Sequence, residues 1–341
     1  MKKTLFFIFR ILIILLSISL ILGKYYNKTN ANVDVTDNIS IMHTDEDYIA
    51  TYSIYNTYNK SLKKSFSREN KHYSDYIIDK KNNAIYFSDL INNRYDIYKV
   101  DLSDKDKKTT SLLDSEYSGD IFDINNNKII FRTPTDDRTS YTLGVHSLTN
   151  NNTKKWINQD SDVYIYNFYW DKDRHIVYTI ERSLSEMENT ELPQITTHKI
   201  FKYDENGKNK QLLYSTDESI SNISVNNQGN KIIYDESTLE KNTLIYKIYL
   251  LDLNNNKKQV IIKSNDKFEN SNFSSLKYPK FSSNRNGFYF LASTSKSKII
   301  QEVKGSTPLM SRAIYYYDFN SKKINIIYED NKNIINIFKL N

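Results

Sequence analysis

The sequence predicts an all-β protein, a six-bladed β-propeller of four-stranded blades. Three observations support this prediction. After residue 37, short runs rich in Tyr, Ile, Phe and Val alternate with clusters of Asn, Asp, Lys and Ser, a pattern typical of strands and turns. The runs fall into units of four. The units recur at spacings of 45, 43, 58 and 55 residues, which is typical of propeller blades.

The units follow one another along the chain, and each predicts one antiparallel blade. The first has its runs at 75–79, 84–89, 95–102 and 108–114. The second has them at 120–124, 128–132, 142–148 and 153–158. The third has them at 163–170, 175–181, 197–204 and 210–216. The fourth and fifth have them at 221–225, 231–236, 244–253, 258–263, and at 276–282, 288–293, 313–319, 323–329.

A sixth blade is predicted from the two ends of the repeat region. The run 335–340 lacks partners after it, and three runs, 38–43, 48–56 and 61–67, precede the first unit. Joining them is expected to close the ring, so that no long sheet edge stays exposed. A pair of β-sandwiches or a solenoid would also show short strands at regular spacing.

Composition excludes several classes of site. The seven glycines lie at least 18 residues apart, so a G-x-G-x-x-G motif, a P-loop and a G-x-S-x-G elbow are all excluded. The chain has no cysteine, which removes thiol nucleophiles, cysteine zinc sites, disulfides and a lipid-carrying cysteine. Asparagine runs such as 125–127 are expected to form the turns, because asparagine tolerates the left-handed conformation.

The N-terminal segment predicts membrane targeting. Residues 5–22 are almost wholly apolar and follow Lys2 and Lys3, with Arg10 inside the run. This pattern fits either a signal anchor or a signal peptide. We therefore expect a targeting segment at 1–28, a linker at 29–37 and a propeller domain at 38–341. The expected location is the cell membrane, with a single pass through residues 5–22 and the C-terminal domain outside, or secretion if the segment is cleaved.

The charge distribution argues against nucleic acid as a partner. The formal net charge is +6, and residues 1–28 contribute five basic side chains and no acid. The remaining body therefore carries +1. A nearly neutral body lacks the basic surface of a nucleic-acid binder.

Three turns between first and second strands carry a resemblance to a known family. Their sequences are Tyr169-Trp170-Asp171-Lys172-Asp173, Val225-Asn226-Asn227-Gln228-Gly229, and Phe281-Ser282-Ser283-Asn284-Arg285-Asn286-Gly287. They resemble the aromatic-Ser-Pro-Asp-Gly turn of the TolB-type six-bladed propellers, although each match is partial and the proline is missing. The resemblance covers about residues 38–340 and implies a protein-interaction scaffold outside the cytoplasm, with some relatives acting as enzyme domains.

The loops between second and third strands are the candidate binding surface, because they lengthen along the chain and share one face of a propeller. The candidate residues of the third and fifth units are Glu186, Glu188, Glu191, Pro193, Lys296, Lys298, Lys304 and Pro308. Their opposite charges suit a protein or peptide partner. The simpler interpretation is that the loops are tolerated insertions with solvated charges.

The sequence predicts no catalytic residue, metal ion or cofactor. The five histidines lack metal-ligand spacing. A calcium-centred site in the channel would need carboxylates and amides from several first strands, for which Asp75, Asp120, Asp123 and Asn167 are available.

The aromatic residues are expected to pack between blades, with Trp156 and Trp170 as candidates for exceptions that stack on bases or sugars, although Trp170 also fits as a turn anchor. The sequence therefore favours an extracytoplasmic, membrane-anchored, non-enzymatic binding scaffold. The alternatives are a hydrolase or lyase with a carboxylate or metal site in the channel, and a protein that binds cell wall or carbohydrate.

Overall fold

Six antiparallel sheets, the blades, and one small separate hairpin make up the part of the chain that the computed structural model describes. The described residues are 37–340 without 70–74, 92–93, 115, 157–161, 190–195, 242, 284–285 and 303–307. Blade 1 contains β1 (Asn38–Thr44), β2 (Ile49–Asn56), β3 (Ser61–Glu69) and, from the other end of the described chain, β27 (Ile334–Leu340). The strand order in blade 1 is β27-β1-β2-β3.

Blades 2 and 3 follow the chain order. Blade 2 contains β4 (Tyr76–Asp79), β5 (Ala84–Ile91), β6 (Arg94–Asp101) and β7 (Thr109–Ser111). Blade 3 contains β8 (Phe122–Asn125), β9 (Lys128–Pro134), β10 (Tyr141–Ser147) and β11 (Asn152–Lys155).

Blades 4 and 5 also contain four strands each. Blade 4 contains β12 (Val163–Asp171), β13 (Ile176–Ser183), β14 (His198–Asp204) and β15 (Gln211–Thr216), with helix α1 (Leu184–Asn189) after β13. Blade 5 contains β16 (Ser219–Val225), β17 (Lys231–Glu240), β18 (Thr243–Asp252) and β19 (Lys257–Lys263).

Blade 6 carries two small additions. Its main strands are β21 (Ser271–Phe281), β22 (Gly287–Thr294), β25 (Ala313–Asp318) and β26 (Ile324–Glu329), and β20 (Lys267–Phe268) pairs with the start of β21. The long loop after β22 contains a separate hairpin of β23 (Ile299–Gln301) and β24 (Leu309–Met310). The prediction of an all-β, six-bladed propeller is confirmed.

Aromatic packing between blades supplies much of the core, as predicted. The cluster between blades 5 and 6 joins Ile233 and Ile248 to Phe288, Phe290 and Tyr315. The rings of Phe290 and Tyr315 stack with their centroids 5.3 Å apart. All eight residues of β22 are buried, because neighbouring blades cover both faces of the sheet.

Asparagine forms many of the turns, which confirms the explanation for the low glycine count. Six asparagines have positive φ values between 47° and 72°: Asn83, Asn126, Asn151, Asn209, Asn256 and Asn265. Asparagine accepts this conformation at lower cost than most residues with a side chain.

The prediction of a single-pass membrane location is corrected. Across the described residues, none of the helices is long and apolar enough to cross a membrane. Helix α1 has six residues, whereas a spanning helix needs about 20. The segment 5–22, on which the prediction rested, lies outside the described residues.

Bulges in the innermost strands join neighbouring blades. The pairing register shifts between Ile165 and Asn167 in β12 and between Ile220 and Asn222 in β16. A bulged residue leaves the ladder, so its backbone groups need other partners. In both cases the preceding blade provides one: Arg132 Nη1 donates to the Tyr166 carbonyl, and Asn167 Nδ2 donates to the Ser221 carbonyl at 2.9 Å.

The other blade junctions use related bonds. Phe122 N–H of blade 3 donates to Asp75 Oδ2 at 3.1 Å, and Arg312 Nη1 of blade 6 donates to the Ile335 carbonyl of β27 at 3.2 Å. Blade 1 is joined to blade 2 by an ion pair of Arg68 and Asp89, 2.5 Å apart. Each of these five junctions between neighbouring blades therefore has at least one specific polar contact besides apolar packing.

We predict that Arg132→Met destabilises the protein by roughly 2–4 kcal/mol, the range for breaking a largely buried ion pair. Arg132 pairs with Asp120, and their side chains are only 12% and 19% exposed. The substitution leaves the carboxylate without its cation and the Tyr166 carbonyl without its donor. The free energy of unfolding, measured by chemical denaturation, tests this.

The double variant Arg132→Met/Asp120→Asn is the control. It removes the stranded charge and keeps the oxygen that accepts from the Ile121 N–H, so it should recover part of the loss. A double variant no more stable than Arg132→Met would contradict the role given to the ion pair.

Candidate functional site

A cavity of about 670 Å³ lies where the innermost strands of the blades meet. Its lining includes residues of β8, β12, β16, β21 and β27 and the residue before β4. The lining also includes Lys172, Asp173 and Asn227, which lie in turns between first and second strands. The candidate site is this channel cavity, and one end of it is bordered by those turns.

The three carboxylates that the sequence assigned to the channel all line the cavity, and each has a cation. Asp75 pairs with Lys339 at 2.7 Å. Asp123 pairs with Lys172 at 2.8 Å. Asp120 pairs with Arg132, whose Nε donates to Asp120 Oδ1 at 2.9 Å. The carboxylates that sequence reasoning assigned to the channel are therefore brought together there, but each is engaged by a cationic side chain.

The channel residues do not fit a metal site. Asn167, the fourth residue predicted to reach the channel, donates through Nδ2 to Ser221 O and Asn222 Oδ1 and accepts from the Phe168 N–H. Within the described ranges there is no group of three or more His, Asp or Glu side chains placed to hold a metal ion. The positive charges of the lysine and arginine partners also repel a calcium ion.

Lys280 is the exception among the described cationic residues of the channel. It lies in β21 and lines the cavity, and among the described residues it forms no ion pair. Its Nζ is 3.4 Å from the Ile223 carbonyl and 5.7 Å from the centre of the Tyr169 ring. Burial and the nearby Lys339 lower the pKa of Lys280 to about 8, although Asp123, Asp75 and Asp235 act in the opposite direction.

A strained bulge places Lys280 in the channel. The register of β21 shifts between Lys277 and Lys280, and Tyr278 has a φ of 54° directly before Pro279. A tyrosine in this conformation costs energy and is seen where surrounding contacts enforce it. Here the Tyr278 N–H donates to Asp235 Oδ2 at 3.0 Å.

Asp235 is the hydrogen-bond acceptor that holds this bulge in place. Its side chain is buried and also accepts from the backbone N–H and the Nδ2 of Asn222, at 2.6 and 2.8 Å. Burial raises the pKa of Asp235, and its hydrogen bonds to Asn222 and Tyr278 act in the opposite direction. Blades 5 and 6 thus hold the bulge together, and β-bulges of this kind re-aim side chains next to functional sites.

Lys280 was not predicted as a site residue, although the sequence contains a signal for the bulge that places it. Proline inside a central strand marks a bulge, and Pro279 lies inside the predicted first strand at 276–282. What the sequence alone does not show is that this bulge directs Lys280 toward the axis.

The predicted loop residues lie elsewhere, and the described ones are not brought together by any contact in the structure. Glu188 is exposed on α1, and Lys296 and Lys298 are exposed before β23. Glu186 accepts from the Thr197 N–H at 2.7 Å and from the Thr197 hydroxyl at 2.9 Å, so it holds the chain after the loop. Pro308 is half-buried before β24. Glu191, Pro193 and Lys304 lie outside the described residues.

The two tryptophans are not exposed, so that prediction is wrong. Trp156 and Trp170 are 7% and 3% exposed, and both belong to the core between blades 3 and 4. The Trp170 Nε1 donates to Glu205 Oε1 at 2.9 Å. Buried indole rings are unavailable as stacking surfaces for sugars.

Comparison with known proteins identifies the fold through structure alone. No protein-family model matches this sequence, and no curated protein matches it. The crystal structure of TolB from Acinetobacter baumannii is similar over 90% of this chain and 67% of that chain, with a TM-score of 0.59 and 12% identity. The fold is a TolB-like six-bladed β-propeller.

Two further structures extend this comparison. A putative TolB from Agrobacterium tumefaciens is similar over 86% of this chain and 89% of that chain, with a TM-score of 0.55 and 7% identity. An oligogalacturonate lyase from Vibrio parahaemolyticus is similar over 86% and 96%, with a TM-score of 0.47 and 13% identity. The last similarity is too weak to carry an argument, and the TolB similarities define the fold alone.

We predict that Lys280→Met stabilises the protein by up to roughly 3 kcal/mol at pH 7, since each unit of pKa shift corresponds to about 1.4 kcal/mol. The pKa of Lys280 is lowered in the folded protein, so the unfolded chain binds the proton more tightly. The penalty is complete below about pH 8 and declines as the pH rises toward 10.5. The gain in unfolding free energy over the wild type should shrink across that window.

Lys339→Met is the matched control. It removes a second lysine from the same cavity but strands the Asp75 carboxylate, whose side chain is 9% exposed. We expect it to lower the unfolding free energy by roughly 2–3 kcal/mol. If both substitutions shift stability in the same direction, Lys280 is not the unpaired charge described above.

Proposed function

We propose that this chain is a non-enzymatic binding protein whose channel cavity receives an acidic group of a protein or peptide partner. The observation that carries this proposal is Lys280, a cation without an ion pair in the described part of the channel. A charge in this position is costly unless a partner compensates it. A carboxylate from a bound partner would provide that compensation.

The pairing of the channel carboxylates favours binding over hydrolysis. A general acid or base must be free to exchange its proton with a substrate, and Asp75, Asp120 and Asp123 each hold a lysine or arginine instead. Two of these ion pairs also join neighbouring blades near the axis: one joins β27 to the residue before β4, and the other joins β8 to the turn after β12. Their arrangement supports a structural role.

The pairing of the two terminal strands supports a rigid channel wall. β27 pairs antiparallel with β1 over most of its length, and Lys339 of β27 reaches Asp75 before β4. We infer that this pairing closes the ring of blades. A closed ring holds Lys280 at a fixed distance from the opposite wall, which lowers the entropic cost of binding.

The loops that carry Glu188, Lys296 and Lys298 are proposed as a second contact surface. They follow second strands, so the topology places them on the face opposite the turns of Lys172 and Asn227. A partner that inserts from the turn face would not reach them. We therefore assign them to a separate contact, with the channel as the principal site.

One observation favours a second candidate, an enzyme. An amine with a pKa lowered to about 8 can act as a general base near neutral pH. Lys280 would then remove a proton from a substrate bound in the channel. The proposed binding function requires protonated Lys280, whereas this alternative requires the neutral amine, so their pH dependences are opposite.

Fluorescence anisotropy with a fluorescein-labelled tetraglutamate peptide tests the binding proposal. We expect saturable binding at pH 6.5 that weakens as the pH rises through 8, because Lys280 loses its charge. Lys280→Met should weaken binding at least about tenfold, the loss of about 1.4 kcal/mol. Lys267→Met, which removes an exposed lysine outside both proposed surfaces, should leave binding as in the wild type.

Two results would count against the proposal. Equal affinity of Lys280→Met and wild type would remove the channel as the site. Affinity or turnover that rises with pH through 8 would favour the enzyme alternative.

A further inference from the structure

A second cavity of about 660 Å³ lies away from the axis, between blades 3 and 4. Its walls come from β9, β10 and β11 of blade 3 and from β14 with the turn after it in blade 4. We call it the lysine groove, after five lysines in its lining: Lys128, Lys154, Lys155, Lys208 and Lys210. Among the described residues, neither a carboxylate nor an arginine lines it.

The lysines are only partly neutralised. Lys128 and Lys210 pair with Glu205 and Glu181, which are buried behind the groove wall. Lys155 pairs with Asp136, whose side chain is 94% exposed. An ion pair this exposed contributes little, so Lys155 is available to another anion.

Lys154 and Lys208 complete the positive surface. Both are exposed, and in the described part of the chain neither side chain forms an ion pair. Removing them therefore leaves no stranded carboxylate, which makes them suitable for substitution. The groove has excess positive charge over its lining, and this favours an anionic ligand.

The floor of the groove is rigid and mostly aromatic. Trp156 packs on Tyr203 with ring centroids 5.2 Å apart, and both side chains are buried. Gly207 lies against the indole so closely that an added Cβ would be 2.6 Å from it. A fixed floor between long lysines gives a defined site.

Neutral polar side chains lie among the lysines in the lining of the groove. The lining includes Ser147, Asn150, Asn152 and Asn206, and their side chains make no hydrogen bonds among the residues described. Amide and hydroxyl groups of this kind bind ligand hydroxyls. A peptide would instead call for apolar pockets, and the wall adds only Val145 and Val163 to the aromatic floor.

We propose that the lysine groove binds an anionic oligosaccharide, a chain in which sugar hydroxyls alternate with carboxylate groups. The lysine ammonium groups are compact point charges, and they pair with the carboxylates of the ligand. The asparagines and Ser147 take the hydroxyls. This site is independent of the channel cavity and goes beyond the partner binding proposed there.

The test measures binding of three labelled probes to the full chain by fluorescence anisotropy: a uronic-acid hexasaccharide, the neutral sugar maltohexaose and the peptide hexaglutamate. We expect the uronic-acid probe to bind the groove most tightly of the three, and its affinity should fall with added salt. Lys154→Gln/Lys208→Gln should reduce its affinity about tenfold, since two exposed charge contacts together contribute up to about 1.4 kcal/mol.

The matched control is Lys257→Gln/Lys267→Gln, which removes the same charge from two exposed lysines of blades 5 and 6. It should bind the uronic-acid probe as the wild type does. Equal losses in the two double variants would overturn the proposal, because net charge alone would then explain binding. Equal or tighter binding of maltohexaose to the wild type, or of hexaglutamate to Lys280→Met, which lacks the unpaired channel cation, would also overturn it.

Discussion

The structure depends on how neighbouring blades are joined near the axis, where a side chain of one blade bonds to the backbone of the next innermost strand. Bulges in β12 and β16 release the Tyr166 and Ser221 carbonyls from the ladder. Arg132 and Asn167 of the preceding blades satisfy them. Because buried backbone groups need partners, each bulge favours one position of the neighbouring blade.

The same device in β21 creates the candidate site. The Asp235 carboxylate binds the Tyr278 N–H and holds a tyrosine in a conformation that is unfavourable for it. The consequence is a lysine in the channel, two residues later, that forms no ion pair within the described residues. The junction between blades 5 and 6 and the candidate site are therefore the same arrangement. The strained bulge holds the unpaired charge of Lys280 in the channel. The proposed partner carboxylate would complete this arrangement.

Much of the fold was predictable from local pattern. Strand alternation, unit spacing and asparagine turns are properties of short segments, so they identified the six-bladed propeller and the residue types in its turns. The three channel carboxylates were also identified, because each belongs to or precedes a first strand. Their partners were not, since Lys339 and Asp75 are far apart in sequence and meet only when the blades assemble.

The errors have the same origin. Trp156 and Trp170 were predicted as exceptions because sequence does not show which side chains the neighbouring blade covers. Lys280 was overlooked because its placement needs a bulge in blade 6, an acceptor in blade 5 and a channel formed by all blades. The lysine groove likewise combines β11 with the turn after β14, two segments of different blades.

The central claim is that Lys280 is an uncompensated cation in the channel, and its own titration tests this most directly. Lysine side chains labelled with ¹³C and ¹⁵N can be followed by NMR against pH, with the Lys280 signal assigned by its loss in Lys280→Met. The structure predicts a midpoint near 8. A midpoint at the ordinary lysine value of about 10.4 would contradict the claim.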